Sequence, residues 1–216
     1  MNRCKRYVRI PQTIPSPLTK FRNTYSIVAR KIGSYRDVLS LSDVHPASDI
    51  FSNEIDQGTI RIKVLACGLD FPTMLVMEGK HMMKKTPPFV PGSDVCGRVV
   101  ATGDDAKEYD VKVGDIVFGV SQSGAMSEYA LMLLENVYKV PKGVSPAIAA
   151  GFEMNYGTTY HGLVDLANLQ EGETLLVLGA SGGVGMAAID IGMLVCFEFD
   201  TFISRLKYTY TIRTYR

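Results

Sequence analysis

The 216-residue chain has no acidic residue before Asp37, no pair of cysteines at C-x-x-C spacing and no long apolar run. Each absence excludes something. Cys4, Cys67, Cys96 and Cys196 are too scattered for a zinc knuckle or a disulfide framework and read as reduced thiols. The longest apolar stretches, such as "MLVCF" at 193–197, fall far short of the roughly 18 residues that cross a bilayer, so no membrane partner is expected. A formal net charge of +1 provides no whole-surface footprint for nucleic acid. The acid-free start is uneven, with nine basic residues from Arg3 to Arg36 among Ser and Thr. That is the composition of a mitochondrial transit peptide. Pro11, Pro15 and Pro17 interrupt any long amphipathic helix, so an unstructured leader on a cytoplasmic protein fits as well. Residues 1–23 are assigned to this leader.

What is present is a globular composition, 46% hydrophobic, with many short strand patterns. "YSIVARKIG" and "DVLSLSDV" read as strands around Gly33, and in "GTIRIKVLACGL" Ile60, Ile62 and Val64 alternate with polar residues. "GSDVCGRVVATG", "VGDIVFGV", "SEYALM" and "NVYKVP" continue the series, punctuated by Gly and Pro. Such spacing predicts a mostly antiparallel barrel or sandwich over 24–145. Ser145 before Pro146 is a cap-then-proline helix start. A second helix is expected over 156–167, with Tyr156, Tyr160, Leu163 and Leu166 near one face.

"TLLVLG" then reads as a strand buried on both faces of a parallel sheet. The turn after it runs Ala180, Ser181, Gly182, Gly183, Val184, Gly185, so Gly182 and Gly185 hold the second and third places of G-x-G-x-x-G and Ala180 the first. Gly182 lets backbone approach a pyrophosphate, Gly185 lets the next helix pack on the strand, and N–H groups at that helix's start face the phosphates. Glu198 and Asp200 lie near the place of the acidic residue that reads the ribose, although no recognisable second strand precedes them.

Together, "KVLACGLDFPTMLVMEGKH", "PPFVPGSDVCGRVVATG", "VGDIVFG", "SEYALM", "NYGTTYHGLVD" and "GETLLVLGASGGVGMAAIDIG" resemble the zinc-free quinone oxidoreductase branch of the medium-chain dehydrogenase/reductases, in consistent order from about residue 24 to 192. The resemblance implies an α/β protein: a GroES-like, mostly β barrel (24–145) followed by the first part of a Rossmann NAD(P)-binding domain (146–192), with NADPH in the cleft. It implies hydride transfer to a quinone or to a conjugated carbonyl or enoyl acceptor, with homodimers among full-length members.

Zinc-containing relatives place a Cys and a His where this chain has Asp70 and Ser93, while Cys67 lies on the strand side of Gly68. A catalytic zinc needs three protein ligands, so none is expected. Quinone reductases usually have Asn at the position of Asp70, and an ionised Asp can only accept hydrogen bonds. Tyr156 and Thr158 match a family segment lining the nicotinamide end of the site, Tyr156 as a catalytic candidate beside Asp70. His161 is expected to be packed or on the surface; His45 and His81 fall in loops. "HMMKK" is expected to cover a loop surface, with Lys84 and Lys85 solvated.

The resemblance stops near Gly192, and residues 193–216 form a tail that does not match the family. Two explanations are expected: a Rossmann domain cut off and followed by out-of-frame or intron-derived sequence, as in a truncated gene model or splice form, or a small protein completed by a partner copy. Two functions follow, an NADPH-dependent reductase or a non-catalytic GroES-like fragment that binds partners. On the first, this chain is expected to bind NADPH weakly, because the residues that hold the adenosine half lie beyond the match.

Overall fold

The computed structural model describes residues 24–43, 55–195, 201–203 and 209–212. Its centre is a closed antiparallel barrel of four strands: β3 (Thr59–Cys67), β4 (Asp94–Thr102), β5 (Ile116–Ser121) and β6 (Tyr129–Lys139). The expected apolar face of β3 forms, with Ile60, Ile62 and Val64 buried against Val95, Val99, Val117, Met132 and Leu134, but the alternation is incomplete because Arg61 between them is buried as well. Each such aliphatic side chain contributes about 1.5–3 kcal/mol on burial. Closure depends on β6. "SEYALM" and "NVYKVP", expected as separate strands, are one bent strand whose first half pairs with β3 and whose second half pairs with β5. The register slips between Gly119 and Ser121, where Gly119 approaches the Asn136 carbonyl too closely for a Cβ. The extra residues turn the corner that a two-face period alone does not reveal.

Beside the barrel, β1 (Ser26–Ala29), a single helical turn α1 (Tyr35–Val38) and β2 (Leu39–Ser42) form a hairpin. It is tied on by Ser26 Oγ to Ser127 Oγ at 2.8 Å and by backbone bridges to Ser127 and Phe89. A helix not expected from the strand patterns, α2 (Phe71–Met77), follows β3. The sequence does carry its signal: Asp70 caps it and Pro72 sits in its first turn. Met82 and Met83 are exposed as expected. Lys85, expected to be solvated, is half-buried over the Phe89 ring, and burial lowers its pKa. Lys84 reaches the Gly79 carbonyl, and His81 Nδ1 accepts from the Met83 N–H at 3.1 Å.

The second half begins with α3 (Pro146–Ala149), where the Ser145 side chain accepts from the Ile148 N–H as the cap pattern predicts. Ala149 and Ala150 pack on Cys96 and Phe118, joining this helix to the barrel wall. The next helix starts three residues earlier than expected and is wider in its turns: Glu153–Gly157 is π-helical, α4 (Thr158–Tyr160) is α-helical and His161–Leu166 is π-helical. The altered period breaks the expected apolar face. Leu163 packs inward, while Tyr160 and Leu166 are exposed.

Strand β7 (Leu175–Leu178) leads into helix α5 (Gly183–Val195). Val177 and Ala180 pack on Ala188, with Leu163 and Leu175 around them. The expectation of burial on both faces is corrected here: Leu176 and Leu178 are 58% and 74% exposed. The sheet also differs from a parallel one. Strand β9 (Thr209–Ile212) pairs antiparallel with β7, and β8 (Thr201–Ile203) pairs with β9. One edge of β7 is therefore covered, by backbone from the tail. His45, Glu198 and Asp200 lie outside the described residues, as does the leader assigned to 1–23. No described helix is long and apolar enough to cross a membrane.

Candidate functional site

The site is assembled from four neighbouring pieces: the loop after β3, the start of β4, the helical segment 146–166, and the glycine turn between β7 and α5 that this segment touches. Gly68 closes the first junction. Its N–H donates to the Asp94 carbonyl at 2.9 Å, and a Cβ there would overlap the Ala150 carbonyl. The loop can thus reach the helical segment only with glycine at this position.

Two residues on, Asp70 Oδ1 accepts from the Thr73 N–H at 2.7 Å and Oδ2 accepts from Ser93 Oγ at 3.2 Å. The two residues singled out by their places in the sequence are therefore in direct contact. Asp70 is occupied as the cap of α2 and as the acceptor for Ser93. Among the described residues no three His, Cys, Asp or Glu side chains are grouped so as to hold a metal ion.

Asp94, next to Ser93, is not among the candidates the sequence offers. It is 2% exposed, and both carboxylate oxygens take the Met154 N–H, at 3.0 and 3.2 Å. Burial pushes its pKa up to about 7, Asp70 and Glu153 push the same way, and the Met154 hydrogen bond opposes them. Burial also raises Glu153. The Cys67 thiol, held toward the Gly68 carbonyl, is pushed up to about 12 by burial and then by Asp70 and Asp94. It remains a thiol rather than a nucleophilic thiolate. The sequence hint of Asp94 is an acidic residue at the head of a strand whose next three residues, Val95, Cys96 and Gly97, are all uncharged and buried.

The helical segment then reaches α5. Tyr156 donates its hydroxyl to Asp190, and its ring stacks on Phe152 at 4.4 Å between centroids and 5° between planes. Phe152 in turn meets Phe118 of the barrel edge-on at 5.8 Å. The Asp190 bond, then burial, raises the Tyr156 pKa. Thr158 is exposed, whereas its neighbour Thr159 is buried and directs its hydroxyl to the carbonyls of Asn155 and Val184. Thr159, not Thr158, touches the glycine turn. His161 lies on the surface, paired with Asp165 at 3.0 Å.

In the turn, Gly179 has φ +69°, and the Gly182 N–H donates to its carbonyl at 3.0 Å. Ser181, Gly182, Gly183 and Val184 are exposed, while Ala180 and Gly185 are buried. A Cβ on Gly185 would overlap Gly179 and Ala180, and one on Gly183 would overlap the Asn155 carboxamide. At Gly182 a Cβ would meet only the Gly179 carbonyl, at 3.4 Å. The first turn of α5 thus opens to solvent where its unpaired N–H groups suit an anion.

The alcohol dehydrogenase GroES-like domain matches residues 56–142. The chain is 37% identical over 174 residues to a quinone oxidoreductase-like protein 2 homolog of Nematostella vectensis, covering 79% of this chain and 47% of that one. Among solved structures it resembles the human synaptic vesicle membrane protein VAT-1 homolog-like protein, with a TM-score of 0.72 and 34% identity over 81% of this chain and 53% of that one. It also resembles the quinone oxidoreductase of Thermus thermophilus, described with its NADPH complex, with a TM-score of 0.63 and 27% identity over 78% and 49%. The chain spans about a third to a half of the length of the curated relatives it matches.

Proposed function

Because the chain belongs to the quinone oxidoreductase type of the medium-chain dehydrogenase/reductases, we propose that it works as an NADPH-dependent reductase transferring hydride to a quinone or another conjugated carbonyl or enoyl acceptor. One observation carries the reading: a single helical segment grips both halves of the site. Met154 holds Asp94 at the barrel, and within a few residues Tyr156 holds Asp190 and Thr159 reaches Val184 in α5. An acceptor at the Asp70 loop and phosphates at the glycine turn would be positioned by one body.

NADPH, when bound, supplies the hydride. Within the turn Ala180–Gly185, the exposed Ser181, Gly183 and Val184 would hold its pyrophosphate through backbone N–H groups, Gly182, whose own N–H is taken by Gly179, would leave room for it, and Ala180 and Gly185 lie buried beneath; exposed Thr158 would line the nicotinamide side. Asp70 accepts from both Thr73 and Ser93, so it holds the one Ser93 proton and fixes the direction of that hydroxyl; Ser93 can donate to an acceptor's oxygen only by turning its O–H away from Asp70. Tyr156 is engaged by Asp190 and serves as a strut rather than as an acid. We propose that the reaction is zinc-independent; near-stoichiometric zinc surviving dialysis would overturn that part.

The test is NADPH fluorescence and oxidation. The chain has no tryptophan, so cofactor emission is read without energy transfer from indole. Weak saturable binding, displaced by inorganic pyrophosphate, with consumption of a quinone but not of a saturated ketone, is the expected result. No change up to millimolar NADPH would overturn it. The non-catalytic reading has one observation in its favour, the exposed Leu176 and Leu178 on the open face of β7, which offers an apolar surface to a partner.

A further inference from the structure

We propose that Thr159 and Asn155 are positioning residues that clamp the glycine turn from behind, holding the first turn of α5 in its anion-facing direction; this rests on the dinucleotide reading of that turn. Thr159 is 4% exposed. Its Oγ1 lies 2.7 Å from the Asn155 carbonyl, four residues earlier on its own helix, and 3.2 Å from the Val184 carbonyl in the first turn of α5. A hydroxyl has one proton to donate. Bonding to the i−4 carbonyl is the ordinary resting place of a mid-helix threonine, and at these two distances the one proton is shared between both carbonyls, so its Val184 arm links the two helices. A valine there would keep the shape and lose the link.

Asn155 supplies the other jaw. Its Nδ2 donates to the Gly151 carbonyl at 2.8 Å, which fixes the carboxamide against Gly183 so closely that no side chain fits at 183. The backbone of Gly183 and Val184 is thus bounded by two side chains of one helical turn while its opposite side is exposed. The turn's glycines are explained from both directions: Gly185 by contact with Gly179 and Ala180 just after β7, Gly183 by contact with Asn155, and Gly182 by neither. Gly182 is left as the position kept small for what approaches from solvent. The same helical turn is anchored to the barrel through Met154 and Asp94, so the clamp relates the direction of α5 to the Asp70 loop.

The experiment is hydrogen–deuterium exchange of the full chain and of Thr159→Val, Thr159→Ser and Asn155→Ala, each alone and with inorganic pyrophosphate or NADPH. Losing one hydrogen bond of ordinary strength should speed exchange at 182–186, read at the hydrogen-bonded amides of Gly182 and Met186, about fivefold in Thr159→Val, with β3 unchanged and Thr159→Ser restored. Asn155→Ala should loosen the same amides. Pyrophosphate should slow them in the wild type and require several-fold more ligand in Thr159→Val. Wild-type exchange at 182–186 in Thr159→Val overturns the clamp. If Thr159→Val also loosens β3, Asn155→Ala decides, and wild-type exchange there overturns the clamp. If the variants loosen the turn but neither ligand slows it in the wild type, the clamp stands and the dinucleotide reading falls.

Discussion

Tyr156 gives its hydroxyl proton to Asp190 across the gap between the helical segment and α5, while its ring lies flat on Phe152. One side chain thereby ties the barrel-facing aromatic pair to the helix that begins at the glycine turn. Tyr156→Phe keeps the stack and removes the bond. A hydrogen bond to a charged group contributes about 1.5–3 kcal/mol, and partial exposure places this one at the lower end. In a double-mutant cycle with Asp190→Asn, measured by denaturant unfolding, the second substitution should cost little once the first is made. Additive losses would show that the two groups act independently.

Asp94 gives the chain a signed pH dependence. Its folded pKa is raised from 3.8 to about 7 by burial, so the folded state keeps a proton that the unfolded chain releases near 3.8. Its stabilising contribution is fully present below about pH 4 and is lost as pH rises through about 7, a change on the order of 4 kcal/mol. Asp70, Glu153 and the Cys67 thiol are the neighbours identified electrostatically around it. Asp94→Asn retains an acceptor for the Met154 N–H but cannot titrate. Wild type minus variant, compared by unfolding midpoints at pH 5 and pH 7, should fall with rising pH, and a flat difference would contradict the assignment.

The two flanking glycines of the turn should separate folding from binding. Gly185→Ala pushes a methyl into Gly179 and Ala180 and should lower stability by about 1–3 kcal/mol through overpacking. Gly182→Ala meets only one carbonyl at 3.4 Å and should leave the thermal midpoint nearly unchanged while weakening pyrophosphate binding. Thermal scans with and without pyrophosphate check both, and equal destabilisation by the two would remove the distinction.

The barrel is legible in the sequence because Ile60, Ile62 and Val64 announce both a strand and its core side, whereas β4 and β5 also bury Cys96 and Phe118 on the other face under Ala149 and Ala150, which alternation alone does not reveal. The glycine turn is legible for a related reason: backbone crowding restricts residue type locally, and Gly183 and Gly185 meet contacts that admit no side chain. Helix α2 is harder to see although Asp70 and Pro72 mark its start, because a lone Asp in a loop suits a site residue as well as a cap. Strand β6 reads as two strands because its bend comes from pairing with two different partners, which no local pattern encodes. The partners Tyr156 with Asp190 and Asp94 with Met154 are 34 and 60 residues apart, and such pairings emerge only from tertiary packing. The choice of Thr159 over Thr158 depends on helical phase, which the π-helical turns on either side alter.

The central claim, that the turn after β7 receives the phosphates of a nicotinamide dinucleotide, is tested most directly by amide NMR of the nitrogen-labelled chain titrated with NADPH. The account predicts that the amides of Gly182, Gly183, Val184 and Gly185 move first and furthest, that inorganic pyrophosphate moves the same set, and that β3 to β6 stay in place apart from residues bordering the Asp70 loop. Unmoved turn amides at millimolar NADPH, or largest shifts on the far side of the barrel, would contradict it.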